Sequence, residues 1–190
     1  MATAQPPVFK QCSLSHALRY RNREIPLRFA DQYGVSYEDA EELFTETKKW
    51  LWLNTRADAP PLVVTAEMKM LDEMWHNFVL FTPEYIKYCE ERFGRYVHHV
   101  PTPIAEKKRI RAAFQQDPEG AGESRNRELA AQYEYIYEKL GEETLIKWQV
   151  ELPYRYDRAF FLRAAKEGAP PPLGRKLRGL YKKTLRAVGR

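Results

Sequence analysis

Cysteine is scarce in this 190-residue chain, with Cys12 and Cys89 the only two. Two thiols cannot build a disulfide framework, so the expected setting is a reducing cytoplasm with both thiols free. Long hydrophobic runs are missing as well. The longest unbroken apolar stretches cover only a few residues, far short of the roughly 20 that a membrane-spanning helix requires. Pro6 and Pro7 stand where a secretory leader would carry its apolar run, which argues against export by that route. Glycine is sparse at 9 residues, and none of them falls in a phosphate-cradling loop, a dinucleotide fingerprint or a G-x-S-x-G elbow. Common nucleotide chemistry is therefore disfavoured.

What is present fits one water-soluble domain of ordinary size: 44% hydrophobic and 30% charged residues at a mean hydropathy of -0.64. The net charge of +5 hides a division. Residues 155–190 carry eleven Lys or Arg against only Asp157 and Glu167, a local excess of nine, so the rest of the chain is acidic by four. A basic end on an acidic body suits a partner of negative charge.

The chain reads as helices punctuated by proline and glycine, with no run of alternating strand residues, and the expected fold is all-α: a single compact multi-helix domain with a basic C-terminal amphipathic helix. Residues 1–13 are expected to be a flexible N-terminus, 14–167 the helical domain, and 168–190 a proline linker and basic helix. Short helices are expected over Leu14 to Tyr20 and Pro26 to Tyr33, the second stopped by Gly34. Ser36 caps a longer helix with Leu43, Phe44, Thr47, Trp50, Leu51 and Leu53 at helical spacing. Thr65 is read as the cap of the next helix, with Met68, Leu71, Trp75, Phe78 and Val79 as its stripe. Thr82 and Pro83 start another, through Tyr85, Ile86, Cys89 and Phe93 to Gly94. The YVHHVPTP segment should run extended, followed by a polar, basic helix over Ile104 to Phe114. Residues 115–124 read as a mobile loop. Leu129, Tyr133, Ile136, Tyr137 and Leu140 form the stripe of a helix ending at Gly141, which leaves Tyr135 free for a partner; Glu142 to Val150 continues helically until Pro153 breaks it. In the last segment, Arg175, Lys176, Arg178, Lys182, Lys183 and Arg186 line one side of a helix and Leu177, Leu180, Tyr181, Thr184 and Val188 the other. That basic side suits an acidic protein surface, with nucleic acid or an anionic membrane surface as alternatives, while docking on its own domain is the plainer reading.

Three of the four histidines, His76, His98 and His99, fall in a span that also holds Asp72 and Cys89. Asp72 and His76, four apart on one helix, share a face. The tight turn at Thr82 and Pro83 folds the following helix back, so His98 and His99 can approach His76. Asp72, His76 and one of His98 or His99 would supply two imidazoles and a carboxylate, a donor set for zinc or for non-haem iron. Cys89 lies in the centre of an apolar stripe and reads as a small buried hydrophobe before it reads as a ligand. A cysteine nucleophile with a histidine base lacks any local signature here. The structural alternative stays open: Asp72 accepts a hydrogen bond, His76 is a satisfied core residue, and His98 and His99 flank a turn.

The stretch LDEMWHNFVLFTPEYIKYCEERFGRYVHHVPTP, residues 71–103, resembles the glycine-rich domain-containing protein-like family of plants and bacteria. The likeness rests on Asp72 near the Trp75-His76 pair, Tyr85, Cys89, Gly94, and His98-His99 before Pro101, with an echo at 133–153 around Gly141, Trp148 and the closing Leu152-Pro153. It extends over roughly 35–157. The glycine-rich segment that names the plant members is absent, so RNA binding attributed to that segment does not carry over. The resemblance implies a helical fold and draws attention to the histidines without naming a reaction. The expected function is a small helical protein with a His/Asp metal-binding pocket, a metal-dependent enzyme or an accessory to one; the alternative is a non-catalytic adaptor that binds an acidic partner through its basic end.

Overall fold

The computed structural model describes residues 9–167, and among them the chain is helical, with no strand. The proline linker and the basic segment with Arg175, Lys176, Arg178, Lys182, Lys183 and Arg186 lie outside the described residues, as do residues 1–8. The helices are α1 (Leu14–Leu18), α2 (Glu24–Tyr33), α3 (Tyr37–Asn54), α4 (Lys69–Leu80), α5 (Thr82–Phe93), α6 (Ile104–Gln116), α7 (Pro118–Leu140), α8 (Glu142–Ile146), α9 (Leu152–Arg155) and α10 (Arg158–Glu167), with a wider π-turn at Lys147–Glu151 between α8 and α9. No helix among the described residues is long and apolar enough to cross a membrane.

The centre of the fold is α3, which packs against α1, α2, α4 and α7. Its entry is fixed as its sequence suggests: the Ser36 side chain accepts from the Asp39 amide at 3.0 Å, and Glu38 and Asp39 occupy the positive end of the helix. Because neighbours cover it on several sides, its buried set is wider than one apolar stripe. Leu43, Phe44, Thr47, Trp50, Leu51 and Leu53 are buried as the spacing predicts, and so are Glu46, Lys48 and Trp52. Glu46 meets its burial with partners: Trp148 Nε1 donates to it at 2.8 Å and Lys49 Nζ at 2.9 Å. Beside it, Arg155 pairs with Asp39 and Glu42, and Lys147 with Glu42 at 2.9 Å, which ties the π-turn and α9 to α3.

Five sequence expectations are corrected. Residues 115–124 are not a loop: 115 and 116 end α6, and 118–124 are the first turns of α7, because Asp117 accepts from the Gly120 amide at 2.9 Å and Pro118 occupies the first turn. On α7 the buried residues are Gln132, Tyr135 and Ile136, while Tyr137 is 54% exposed. That rotation has a polar cause. Gln132 pairs with both main-chain groups of Val63, accepting from its amide at 2.8 Å and donating to its carbonyl at 3.1 Å, so a polar side chain claims the inward face. Tyr135 turns inward and donates to Asp58 at 2.8 Å instead of offering itself to a partner. Thr65 caps nothing with its side chain, and α4 begins four residues after it. Pro153 does not break the chain's helical course either. The π-turn before it, closed by the Leu152 amide on the Lys147 carbonyl, widens the helix where a proline ring would strike the carbonyl four residues back.

Residues 9–13 run without helix and are held to the body. The Lys10 amide donates to the Phe93 carbonyl at 2.8 Å, and the Cys12 carbonyl accepts from Trp52 Nε1 at 2.9 Å. Gly94 makes the first contact possible: its φ is 72°, and a Cβ there would stand 3.1 Å from that of Lys10.

Lys48 is the exception to paired burial. Fully buried, its ammonium donates to the Tyr20 carbonyl at 3.0 Å and lies 4.6 Å from the centre of the Phe44 ring. Burial holds its pKa down to about 8, with Arg21 adding to the depression and Glu41 opposing it. The sign follows from linkage. Below about pH 8 folded and unfolded chains both carry the proton and the folded state bears the whole desolvation cost; that cost falls as pH rises toward the ordinary lysine value. Lys48→Met should therefore be more stable than wild type by about 1–3 kcal/mol at neutral pH, since Arg21 Nη1 still donates to the Tyr20 carbonyl. Urea unfolding should show the advantage shrinking between about pH 8 and about pH 10; an advantage that does not change with pH would mean the charge is not its source.

Candidate metal centre

The segment that carries His98 and His99 has no helical hydrogen bonds of its own, so its position depends on side chains. Pro83 in the first turn of α5 sends that helix back along α4, and Gly94 ends it in the left-handed region. Tyr85, fully buried, then joins three elements: its hydroxyl accepts from Trp75 Nε1 of α4 at 2.9 Å and donates to the Val97 carbonyl at 2.6 Å. Cys89 lies beneath, completely buried, with its sulfur against the Val97 backbone and the Tyr85 hydroxyl. Burial pushes its thiol up to about 11, against the lowering effect of those hydrogen bonds. Its sulfur does not belong to the group that Asp72, His76 and His99 form, and it serves as part of the support.

Two residues beyond Val97, His99 turns in over α4. Its Nε2 lies 2.9 Å from Asp72 Oδ1, and its ring packs 4.1 Å from that of Trp75 and 4.4 Å from that of His76, inclined to the latter by 30°. One ligand atom from each of Asp72, His76 and His99 can be chosen so that all lie within 4.8 Å of one another. Two atoms on opposite sides of an ion bound at 2.0–2.1 Å stand at most about 4.2 Å apart, so the group has to draw in from that spacing to close around one ion. Burial raises the Asp72 carboxyl, but the hydrogen bond from His99 and the nearby His76, His99 and Lys69 outweigh it, leaving its pKa below the ordinary value.

Of the residues singled out in the sequence, Asp72, His76 and His99 come together. His98 does not join them: it is exposed, sits edge-on to Tyr96 at 4.9 Å, and lines the adjoining cavity. Adjacent residues in an extended segment point to opposite sides, so only one of the two histidines can reach α4. His16 lies elsewhere, between Arg19 and Arg92. Glu73 was not anticipated. Its carboxylate stands 3.6 Å from His76 Nδ1, beyond hydrogen-bond length, and accepts from the Tyr33 hydroxyl at 2.7 Å. Its signal in the sequence was its place three residues before His76, one helical turn away.

The three residues open onto a cavity of about 700 Å³ between the end of α3, residues 62–66 and residues 98–102. Its walls include Trp50 and Thr65, which the sequence suggested only as a core residue and a helix cap, and Lys69 and Lys107.

A family model described as UCP032817-like matches residues 19–120, a span that includes Asp72, His76 and His99. Neither the curated proteins nor the solved structures compared with the chain gave a match.

Two variants test the architecture. Tyr85→Phe leaves the Trp75 N–H and the Val97 carbonyl unpaired in the interior, and should cost about 2–4 kcal/mol in urea unfolding while speeding hydrogen exchange at residues 96–100. Asp72→Asn should cost about 1 kcal/mol at neutral pH, a modest figure because the pair is partly exposed. The depressed folded pKa means that the carboxylate's contribution is complete above about pH 4 and fades as pH falls further; a difference between wild type and variant that grows in acid contradicts this account.

Proposed function

The chain belongs to the UCP032817-like family, and for this member we propose that Asp72, His76 and His99 bind one divalent metal ion, zinc or iron, with coordination positions open to the cavity. The observation that carries the reading is the convergence of two imidazoles and a carboxylate from α4 and the 95–103 segment within 4.8 Å. His76 turns Nδ1 toward Glu73, which leaves Nε2 for the ion. The His99 Nε2 contact with Asp72 is the one an ion replaces, so the resting hydrogen bond keeps both ligands in place until the ion arrives. Three protein ligands with open positions are the arrangement of reactive rather than purely structural centres. An ion held this way supplies Lewis acidity and a water of lowered pKa. The protein's own share is to hold the neutral imidazoles, exclude bulk water on the Trp75 side and leave the cavity side accessible. A metal-dependent enzyme, or an accessory protein to one, is the function class that fits.

Isothermal titration of chelator-treated protein with zinc and with ferrous iron under nitrogen should give one ion per chain. His76→Ala and His99→Ala should each weaken binding by about 100-fold or more, and Glu73→Gln by about tenfold or more. Cys89→Ser should leave the stoichiometry unchanged. Absence of binding heat, or binding that survives loss of both imidazoles, removes the metal reading and leaves Asp72–His99 as a structural pair.

A further inference from the structure

His16 stands between two guanidinium groups. Its Nδ1 lies 2.6 Å from Arg19 Nη2 at the end of α1, and its Nε2 lies 2.9 Å from Arg92 Nη1 in the last turn of α5. A guanidinium carries donors only, and a neutral imidazole has one donor nitrogen and one acceptor nitrogen. The ring can therefore accept from one arginine and not from both. Whichever tautomer it holds, an N–H faces an N–H on the other side, and the two donors converge on a place that lacks an acceptor.

The charge is unbalanced in the same direction. Loss of hydration, then Arg92, Arg19 and Lys10, hold the His16 pKa below its ordinary value, with Glu91 opposing them, so the ring is neutral at pH 7. Lys10 is brought to this spot by its main chain, whose amide donates to the Phe93 carbonyl at 2.8 Å. Among the described residues neither Lys10 nor Arg19 has a carboxylate partner, and the Glu91 carboxylate stands 4.0 Å from Arg92 Nη2. Arg92 is the costly member. Its side chain is only 17% exposed and its Nε has no hydrogen-bond partner among the described residues, so a largely buried charge is left without close compensation. Its outer end reaches the surface beside Glu91, which is 47% exposed.

We propose that His16, Arg19 and Arg92 bind a phosphate group, free or as the ester of a small molecule, whose oxygens accept from both guanidinium groups and from the imidazole N–H while Lys10 adds positive charge. An oxygen set between the two facing donors accepts from both, which removes the mismatch that the ring alone cannot resolve. A dianion suits three cations with one distant carboxylate better than a monoanion does, and the planar fork of arginine matches phosphate oxygens. The ligand meets the outer nitrogens of Arg92, and Nε stays inside. The site shares no residue with Asp72, His76 and His99 and does not depend on the metal reading.

The experiment follows the imidazole Cε1 protons of the four histidines, assigned by through-bond correlation, in the chelator-treated full-length chain at pH 7. Inorganic phosphate, phenyl phosphate and benzoate are titrated separately, with sodium chloride holding the ionic strength constant. At least one of the two phosphates should move His16 to saturation, more than His76, His98 or His99, and should bind about tenfold more tightly than benzoate. Arg92→Gln and Arg19→Gln should each weaken it about tenfold. Arg19 is exposed, so its variant carries the test even if Arg92→Gln does not fold. Phenyl phosphate bound at least as tightly as the free ion identifies an ester as the ligand, and binding of inorganic phosphate alone identifies the free ion. The proposal is overturned if neither phosphate moves His16, if all four histidines move together, if benzoate binds as tightly, or if Arg19→Gln binds phosphate as the wild type does.

Discussion

The Tyr85 hydroxyl joins α4, α5 and the histidine segment to one another. It accepts from Trp75 and donates to Val97, so both of its hydrogen-bonding capacities are used on two different elements. Residues 96–103 form neither helix nor strand, and without such a bond their backbone groups would have only water to pair with. Burial of Tyr85 makes the bond strong, because no water competes for it. The same ring stands edge-on to Phe78 and Tyr96, which continues the aromatic core outward to the segment. His99 therefore meets Asp72 as a consequence of interior hydrogen bonding, and their partly buried contact completes the placement.

Much of the fold was legible because the signals were local. Gly34, Gly94 and Gly141 all have positive φ, as stops placed directly after apolar periodicity should. Ser36 caps, Pro83 opens α5, and the inward face of α3 contains the six residues that its spacing picked out. The site was legible in part for the same reason: Asp72 and His76 follow from helical spacing, and their approach to His99 from a tight turn. What escaped depended on distant partners. The rotation of α7 is decided by Gln132 binding Val63 across 69 positions of sequence, and no periodicity reports that. Asp117 and Pro118 were visible cap and first-turn residues, yet two glycines nearby lowered the helical signal. Which of His98 and His99 faces inward depends on where Val97 is tied, two residues before the one that turns in.

The central helix shows why hydrophobic patterning alone underdetermines such a structure. With packing on several sides, α3 has too little solvent-facing arc for its charges, and Glu46 and Lys48 are carried inside. They solve the problem differently. Glu46 recruits an indole N–H and two lysines, so its charge is compensated by residues from α3 itself and from the π-turn. Lys48 finds a carbonyl and the face of Phe44, which satisfy direction but supply only a fraction of a unit charge. One arrangement fastens the C-terminal helices to the core, while the other leaves a destabilising charge at the centre of a domain otherwise well packed.

The cavity beside the candidate metal site is bounded by two segments without regular structure: residues 62–66, tied by Gln132, and residues 98–102, which follow the Tyr85-bound Val97 and include the His99 contact with Asp72. Gln132 of α7 and Tyr85 of α5 act from outside, since neither lines the cavity itself. Asp72, His76 and His99 bring lone pairs together on one side of it, which call for a cation, and that polar side distinguishes the cavity from a packing defect, whose lining would be apolar throughout.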